Sequence, residues 1–243
     1  MSTQLDQTTA PKMAPLQGFT APLVVWDVDR SLTFKDTLLP FLAKVVGPGA
    51  WPGVLTSVSA HTAARGGGRA GLKKGLLQRC LAGRAEAEVQ EVAHEFARTI
   101  ETQMCRRDAL ARWAWHHRRG HRLALASASL DLYLQPLGHA LGAERVLATG
   151  LQVEDGRFTG AMSTANCRGA EKARRINELI EATRPVFVWI YSDSRSDQPS
   201  LDLADVPIRV SQWRPLRTPI TTTHLRLVPE PPHPSFIPPG GTP

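Results

Sequence analysis

Three short runs of apolar residues, at 23–26, 122–126 and 186–191, stand out from a chain whose other apolar positions recur mostly at helical spacing. Continuous runs of this length mark strands covered on both faces, because a half-exposed strand alternates. Between the first two runs, Leu38, Leu39, Leu42 and Val45/Val46, then Leu72, Leu76, Leu77 and Cys80/Leu81, then Val89, Val92, Ala93, Phe96 and Ile100 follow helical periodicity with no strand among them. Gly120 reads as the stop of this block. After the second run the pattern predicts a helix at 131–141, a short strand at 146–148 and a hairpin at 151–159 turning on Asp155-Gly156. A helix at 170–182 and a last strand at 207–210 complete the set. Strands alternating with helices predict an α/β fold with a Rossmann-like, mainly parallel sheet flanked by helices. The chain then divides into a core (22–33 and 119–215) and an inserted all-helical cap (34–118). Residues 1–21 are expected to be a flexible tail. Residues 216–243 are expected to be extended, since seven prolines fall within 229–243.

Composition narrows the class. With 42% hydrophobic and 21% charged residues, the chain is of ordinary globular type, which excludes collagen and coiled coil. No apolar stretch approaches the roughly 20 residues of a membrane-spanning helix, and the start lacks the basic-then-apolar layout of a signal peptide. Cys80, Cys105 and Cys167 are widely spaced, against a disulfide framework or a thiolate zinc site. A cytoplasmic protein is expected. The net charge of +7 is uneven: residues 34–118 hold 13 Lys and Arg against 7 Asp and Glu. Arg65, Arg69, Lys73, Lys74, Arg79 and Arg84 occur with no acid between them. This run reads as a solvated helix face beside a Gly66-Gly67-Gly68 hinge, as a field steering phosphorylated substrates, or as a surface for weak contact with anionic membranes. No nucleic-acid-binding module accompanies it, so no specific nucleic-acid partner is expected.

The chemistry sits at the ends of the strands. Asp27-Val28-Asp29-Arg30-Ser31 follows the first and Ser127-Ala128-Ser129 the second. Asn166-Cys167-Arg168-Gly169 leads to Lys172, and Ser192-Asp193-Ser194-Arg195-Ser196-Asp197 follows the third run. In an open α/β sheet, ligands bind beyond the carboxyl ends of the strands. There, one carboxylate can attack phosphorus and a second can move a proton to or from the leaving oxygen. A hydroxyl with backbone N–H groups can hold phosphate oxygens, a lysine can offset their charge, and Asp193 with Asp27 offers hard oxygens to Mg²⁺.

In order and content these stations resemble the motifs of the haloacid dehalogenase-like hydrolases, in the phosphoserine-phosphatase-like branch with a helical cap after the first motif. Asp36-Thr37-Leu38-Leu39-Pro40-Phe41, Tyr133-Leu134 and Pro136 are also similar to that branch. The resemblance implies Asp27 as the nucleophile forming an aspartyl-phosphate, Asp29 as general acid/base and Lys172 as stabiliser of the phosphoryl group. It implies Ser127, with Ala128, as the phosphate-binding loop. Mg²⁺ would be held by Asp27, Asp193 and the backbone carbonyl of Asp29, with Asp197 supporting the site. The implied activity is Mg²⁺-dependent hydrolysis of a small phosphomonoester such as phosphoserine or another amino-alcohol phosphate. Phosphotransfer on the same site, or non-catalytic binding of a phospholigand, would use the same motifs. Ser129 is expected to cap the following helix. Arg30 and Ser192 stand where glycine is frequent, and Ser31 where threonine is usual. Arg30 either meets an anionic substrate or faces solvent. His116, His117 and His121 lack the spacing of a known metal-ligand set and read as solvated or helix-end residues. Cys167 reads as a bystander thiol, and Trp113 and Trp115 fall on different faces of one helix.

Overall fold

The computed structural model describes residues 20–64, 68–211 and 214–216. Both expected tails lie almost wholly outside the described residues, as do Gly66 and Gly67 of the expected hinge. The elements run β1 (Leu23–Trp26), α1 (Leu38–Val46), α2 (Trp51–Ala64), α3 (Gly68–Leu81), α4 (Glu86–Thr99), α5 (Arg107–Arg118), β2 (Arg122–Leu130), α6 (Asp131–Ala140) and β3 (Arg145–Thr149). Then come β4 (Leu151–Glu154), β5 (Arg157–Met162), α7 (Ala170–Thr183), β6 (Val188–Ser192), α8 (Gln198–Leu201) and β7 (Val206–Arg209).

Five strands form one sheet in the order β3-β2-β1-β6-β7, with every neighbouring pair parallel. Alternate residues of each strand face opposite sides, which explains why the three runs are apolar throughout apart from Arg122 at the start of the second. Val24, Trp26, Leu123, Leu125, Trp189 and Tyr191 join one apolar cluster. Leu23, Val25, Ala124, Ala126, Val188 and Ile190 join the other, packed on Ile176 and Leu179 of α7 and Leu201 of α8. Helices α5 and α6 cover the first face. Trp113 of α5 lies 6.4 Å from Trp26, ring centre to ring centre. At α6, a Cβ on Gly138 would stand only 2.4 Å from the Val146 side chain, so a glycine permits this approach of helix and strand.

Four helices, α1 to α4, stand between β1 and α5, and their apolar side chains are continuous with the first face of the sheet. Phe41 of α1, Phe96 of α4 and Tyr133 of α6 form a ring triad with centroid separations of 4.8–5.6 Å. The β4–β5 hairpin turns on Asp155 and Gly156, both at positive φ as a two-residue primed turn requires. It is pinned to the link between α3 and α4 by Gly83 N–H to Phe158 O, Phe158 N–H to Arg84 O and Glu86 N–H to Gly156 O.

Helix α5 was grouped with the cap by its place in sequence, yet its inner face lies on the sheet. His116 is buried there, 2.8 Å from the Tyr191 hydroxyl through Nε2 and 2.9 Å from His121 through Nδ1. It is a helix-end residue as expected, in the last turn of α5, but packed in the core rather than solvated, while His117 is exposed. Trp113 is buried and Trp115 half-buried, on different faces as expected.

Candidate active site

The strand order reverses between β1 and β6, and the crevice beyond their carboxyl ends is where an α/β sheet binds ligands. A cleft of about 390 Å³ opens there, lined by Asp27, Asp29, Arg30, Asp36, Ser127, Ala128, Arg168, Lys172, Asp193, Ser194, Ser196 and Asp197. All eight residues singled out in the sequence, Asp27, Asp29, Arg30, Ser127, Ala128, Lys172, Asp193 and Asp197, thus share one cavity. A larger groove of about 780 Å³ lies among residues of α4, α6 and the β4–β5 hairpin, such as Gln90, His94, Pro136 and Phe158, and holds none of them.

Asp27 extends β1 by one residue, its N–H bonding to Tyr191 O at 2.9 Å. Its Oδ1 accepts from Lys172 Nζ at 2.8 Å and its Oδ2 from Ser31 Oγ at 2.8 Å. Lys172 enters from the first turn of α7, is 3% exposed, and also donates to Asp197 Oδ2 at 2.7 Å. Ser192 Oγ donates to the same Asp197 oxygen at 2.9 Å. Ser31 Oγ in turn accepts the Asp193 N–H, tying the β1 and β6 loops together. Burial pushes the Asp27 carboxyl up to about 7, against the pull of Lys172. Burial would lower Lys172, but Asp27 and Asp197 outweigh it and hold the ammonium above its ordinary value.

Asp29 has a different environment. The chain after Asp27 makes a wide turn closed by Leu32 N–H to Asp27 O and Thr33 N–H to Val28 O. Inside the turn Arg30 sits at φ 62°, a left-handed conformation natural to glycine. Asp29 Oδ1 accepts from the Thr37 N–H and hydroxyl, both at 2.7 Å. Its Oδ2 accepts from Ser129 Oγ at 2.6 Å and lies 3.4 Å from Ser127 Oγ. The expectation that Ser129 caps the next helix is corrected: β2 runs on to Leu130, which holds the cap position of α6, and Ser129 turns inward. Arg30 is tied to Asp36 at 2.6 Å at the mouth of the cleft, with half of its side chain exposed.

Two helpers of the site, Thr37 and Ser31, and the reach of Lys73 toward Ala128 were not assigned in the sequence reading. Thr37 and Ser31 do sit inside quoted motifs, whereas the reach of Lys73 depends on how α3 folds back. Cys167 is buried, and burial raises its thiol pKa, consistent with a bystander.

The donor chemistry suits a hard divalent ion. Mg²⁺ uses one or two carboxylates and keeps several waters, so it needs no cluster of three side-chain ligands, and none is present among the described residues. Asp197 Oδ1 is buried without a hydrogen-bond partner among the described residues, which leaves a hard oxygen unsatisfied beside Asp27. Asp27, Asp193 and the Asp29 carbonyl would hold the ion, with Asp197 behind them.

A parallel sheet in this order, with a helical insertion after β1 and carboxylates at the strand ends, defines a capped α/β enzyme fold. The sequence model of the haloacid dehalogenase-like hydrolases matches residues 24–202, and the chain belongs to that family. It is 32% identical over 187 residues to Protein CicA of Caulobacter vibrioides, covering 75% of this chain and 83% of that one. A probable phosphatase of Mycobacterium tuberculosis is 33% identical over 133 residues, 54% of this chain and 46% of its own. Among solved structures, a Bordetella pertussis protein of unknown function superposes with a TM-score of 0.65 at 22% identity, over 76% of this chain and 87% of that one. A phospho-aspartyl intermediate analogue of phosphoserine phosphatase gives 0.54 at 16% identity, over 76% and 83%. The fold is that of the phosphoserine-phosphatase-like branch of the family. No helix among the described residues is long and apolar enough to cross a membrane.

Proposed function

We propose that the protein is a Mg²⁺-dependent phosphatase hydrolysing a small phosphomonoester through an aspartyl-phosphate on Asp27. The observation that carries this reading is the pairing of two differently held aspartates two residues apart. Asp27 is fixed on Lys172 at the cleft floor, and Asp29 is aimed by Thr37 and Ser129. In the first half-reaction an Asp27 carboxylate oxygen attacks phosphorus, the ester P–O bond breaks, and Asp29 delivers its proton to the leaving alcohol. In the second, Asp29 takes a proton from water as the water attacks phosphorus, releasing inorganic phosphate and restoring Asp27. Lys172 offsets charge at the phosphoryl oxygens, and Ser127 with the neighbouring N–H groups binds them. When bound, Mg²⁺ supplies the positive charge that lets Asp27 ionise beside an anionic substrate.

We also take the substrate to be a metabolite rather than nucleic acid, and place the reaction in the cytoplasm. The basic face of α3 adds at most a weak contact with anionic membranes, checked by salt-sensitive sedimentation with anionic vesicles. A panel of phosphomonoesters assayed with Mg²⁺ and with chelator tests the main reading. Turnover should require the ion and fall about 10⁴-fold in Asp27→Asn, near 5.5 kcal/mol of barrier. Undiminished release by that variant would remove Asp27 from the mechanism.

A further inference from the structure

Lys73 belongs to the basic run of the cap, yet its ammonium is not on the solvated face. It reaches from α3 to the loops of the α/β core and donates to Ala128 O at 2.6 Å, Asn166 Oδ1 at 2.6 Å and Thr149 Oγ1 at 3.3 Å. All three acceptors are neutral oxygens, so each ammonium hydrogen has an acceptor while the charge stays uncompensated by them. Lys74, the next residue, is exposed. The acceptors belong to different parts of the site. Ala128 lies inside the Ser127–Ser129 segment, Thr149 ends β3, and Asn166 opens the loop to Lys172. The Thr149 hydroxyl is also 2.9 Å from Ala128 O and accepts the Cys167 N–H at 3.2 Å.

The Ala128 carbonyl shares a peptide group with the Ser129 N–H, and that N–H donates to Ser127 Oγ at 3.0 Å. A cation on a peptide oxygen polarises the group and strengthens its N–H as a donor. The Ser127 oxygen accepts this N–H from behind, while its own hydrogen is directed toward Asp29 Oδ2, 3.4 Å away on the cleft side. Burial lowers the Lys73 ammonium to about 8, so the group has given up hydration to sit in this position.

We propose that Lys73 is a positioning residue, a strap from the helical insertion that fixes the Ala128 peptide and thereby, through the Ser129 N–H, orients the Ser127 hydroxyl for a phosphate group. The inference rests on the phosphatase reading of the cleft and adds to it a dependence of anion binding on the docking of α3. It also separates Lys73 from its neighbour Lys74, which is exposed.

The test uses the full chain and inorganic phosphate with Mg²⁺. Binding is read by calorimetry and the Ser129 amide by hydrogen exchange. In Lys73→Met, phosphate affinity should fall at least tenfold and the Ser129 amide should exchange faster. Lys73→Arg should recover part of both, and Lys74→Met should change neither. Thr149→Val, which removes the other donor from the same carbonyl, should move both readouts the same way by less, and serves if Lys73→Met does not fold. Phosphate affinity within twofold of wild type in folded Lys73→Met, or an unaltered Ser129 amide, overturns the proposal. So does a wild-type protein that binds no phosphate. Wild-type protein that binds phosphate in this Lys73-dependent way, yet turns over no phosphomonoester, would sink the hydrolase reading while sustaining the strap.

Discussion

The two aspartates of the first loop stand two residues apart and are held by opposite means. Asp27 is buried with Asp197 around one ammonium, two carboxyls to a single cation. Asp29 is held by the hydroxyls of Thr37, Ser129 and Ser127 and one backbone N–H, with no cation bonded to it. Lys172 holds the Asp27 carboxyl in place while serving Asp197 as well, and burial raises that carboxyl to about 7. Neutral donors aim the Asp29 carboxyl instead. On the proposed reading, with Asp27 as nucleophile and Asp29 as proton carrier, the two roles are set apart by neighbouring side chains rather than by the carboxyls themselves.

The largest break in this comparison comes from Lys172→Met. Removing one partner of a buried ion pair leaves uncompensated charge and costs roughly 3–5 kcal/mol. The variant should lose both activity and a large part of its thermal stability. A melting curve within a degree or two of wild type would show that the cluster is not held by its charges.

Exchanging each aspartate for asparagine should move stability in opposite directions. The Asp27 carboxyl is raised from 3.8 to about 7, so its protonated form is the one the fold favours. Its contribution to stability is complete below pH 3.8 and is lost as pH rises toward 7. Asp27→Asn should therefore melt above wild type at pH 8 without metal, and the gap should close as pH falls toward 4. Asp29→Asn should melt below wild type at pH 8, because an amide cannot accept from four donors. Equal shifts of the same sign would erase the distinction between the two sites.

Ser129→Ala loosens Asp29 without touching Asp27. A positioned proton carrier loses about tenfold in kcat, near 1.4 kcal/mol, with KM little changed. A KM effect alone would mean that Ser129 serves binding instead. The smallest expected effect is that of Arg30→Gly. It relieves a left-handed arginine worth about 1 kcal/mol and loses an exposed pair with Asp36 worth about 0–1 kcal/mol. Urea melts should place it within about 1 kcal/mol of wild type. A larger loss would give the pair with Asp36 a role in the fold.

The parts of this picture legible in the sequence are those that depend on local pattern. The strands were visible because residues buried on both faces form unbroken apolar runs, and the hairpin because Asp155-Gly156 suits a turn with positive φ. The site stations were visible because their carboxylates and hydroxyls stand just after strands, where an α/β sheet binds ligands. Long-range placement was not legible. Helix α5 follows four cap helices in sequence, but Trp113 and His116 carry it onto the sheet. Ser129 resembles a helix cap until β2 is seen to continue past Ser127. Lys73 resembles its basic neighbours until α3 folds over Ala128. Helix α2 has one buried apolar residue, Val58, too few to set a period.

The central claim is that Asp27 becomes covalently phosphorylated. Acid-quenched turnover with a phosphomonoester and Mg²⁺, followed by peptide mapping of the trapped acyl-phosphate, reads this directly. A label is expected on Asp27 that is missing in Asp27→Asn and, with an aryl phosphate whose leaving group needs no proton, accumulates in Asp29→Asn, where the second half-reaction lacks its base. Steady phosphate release with the label on another residue would contradict it.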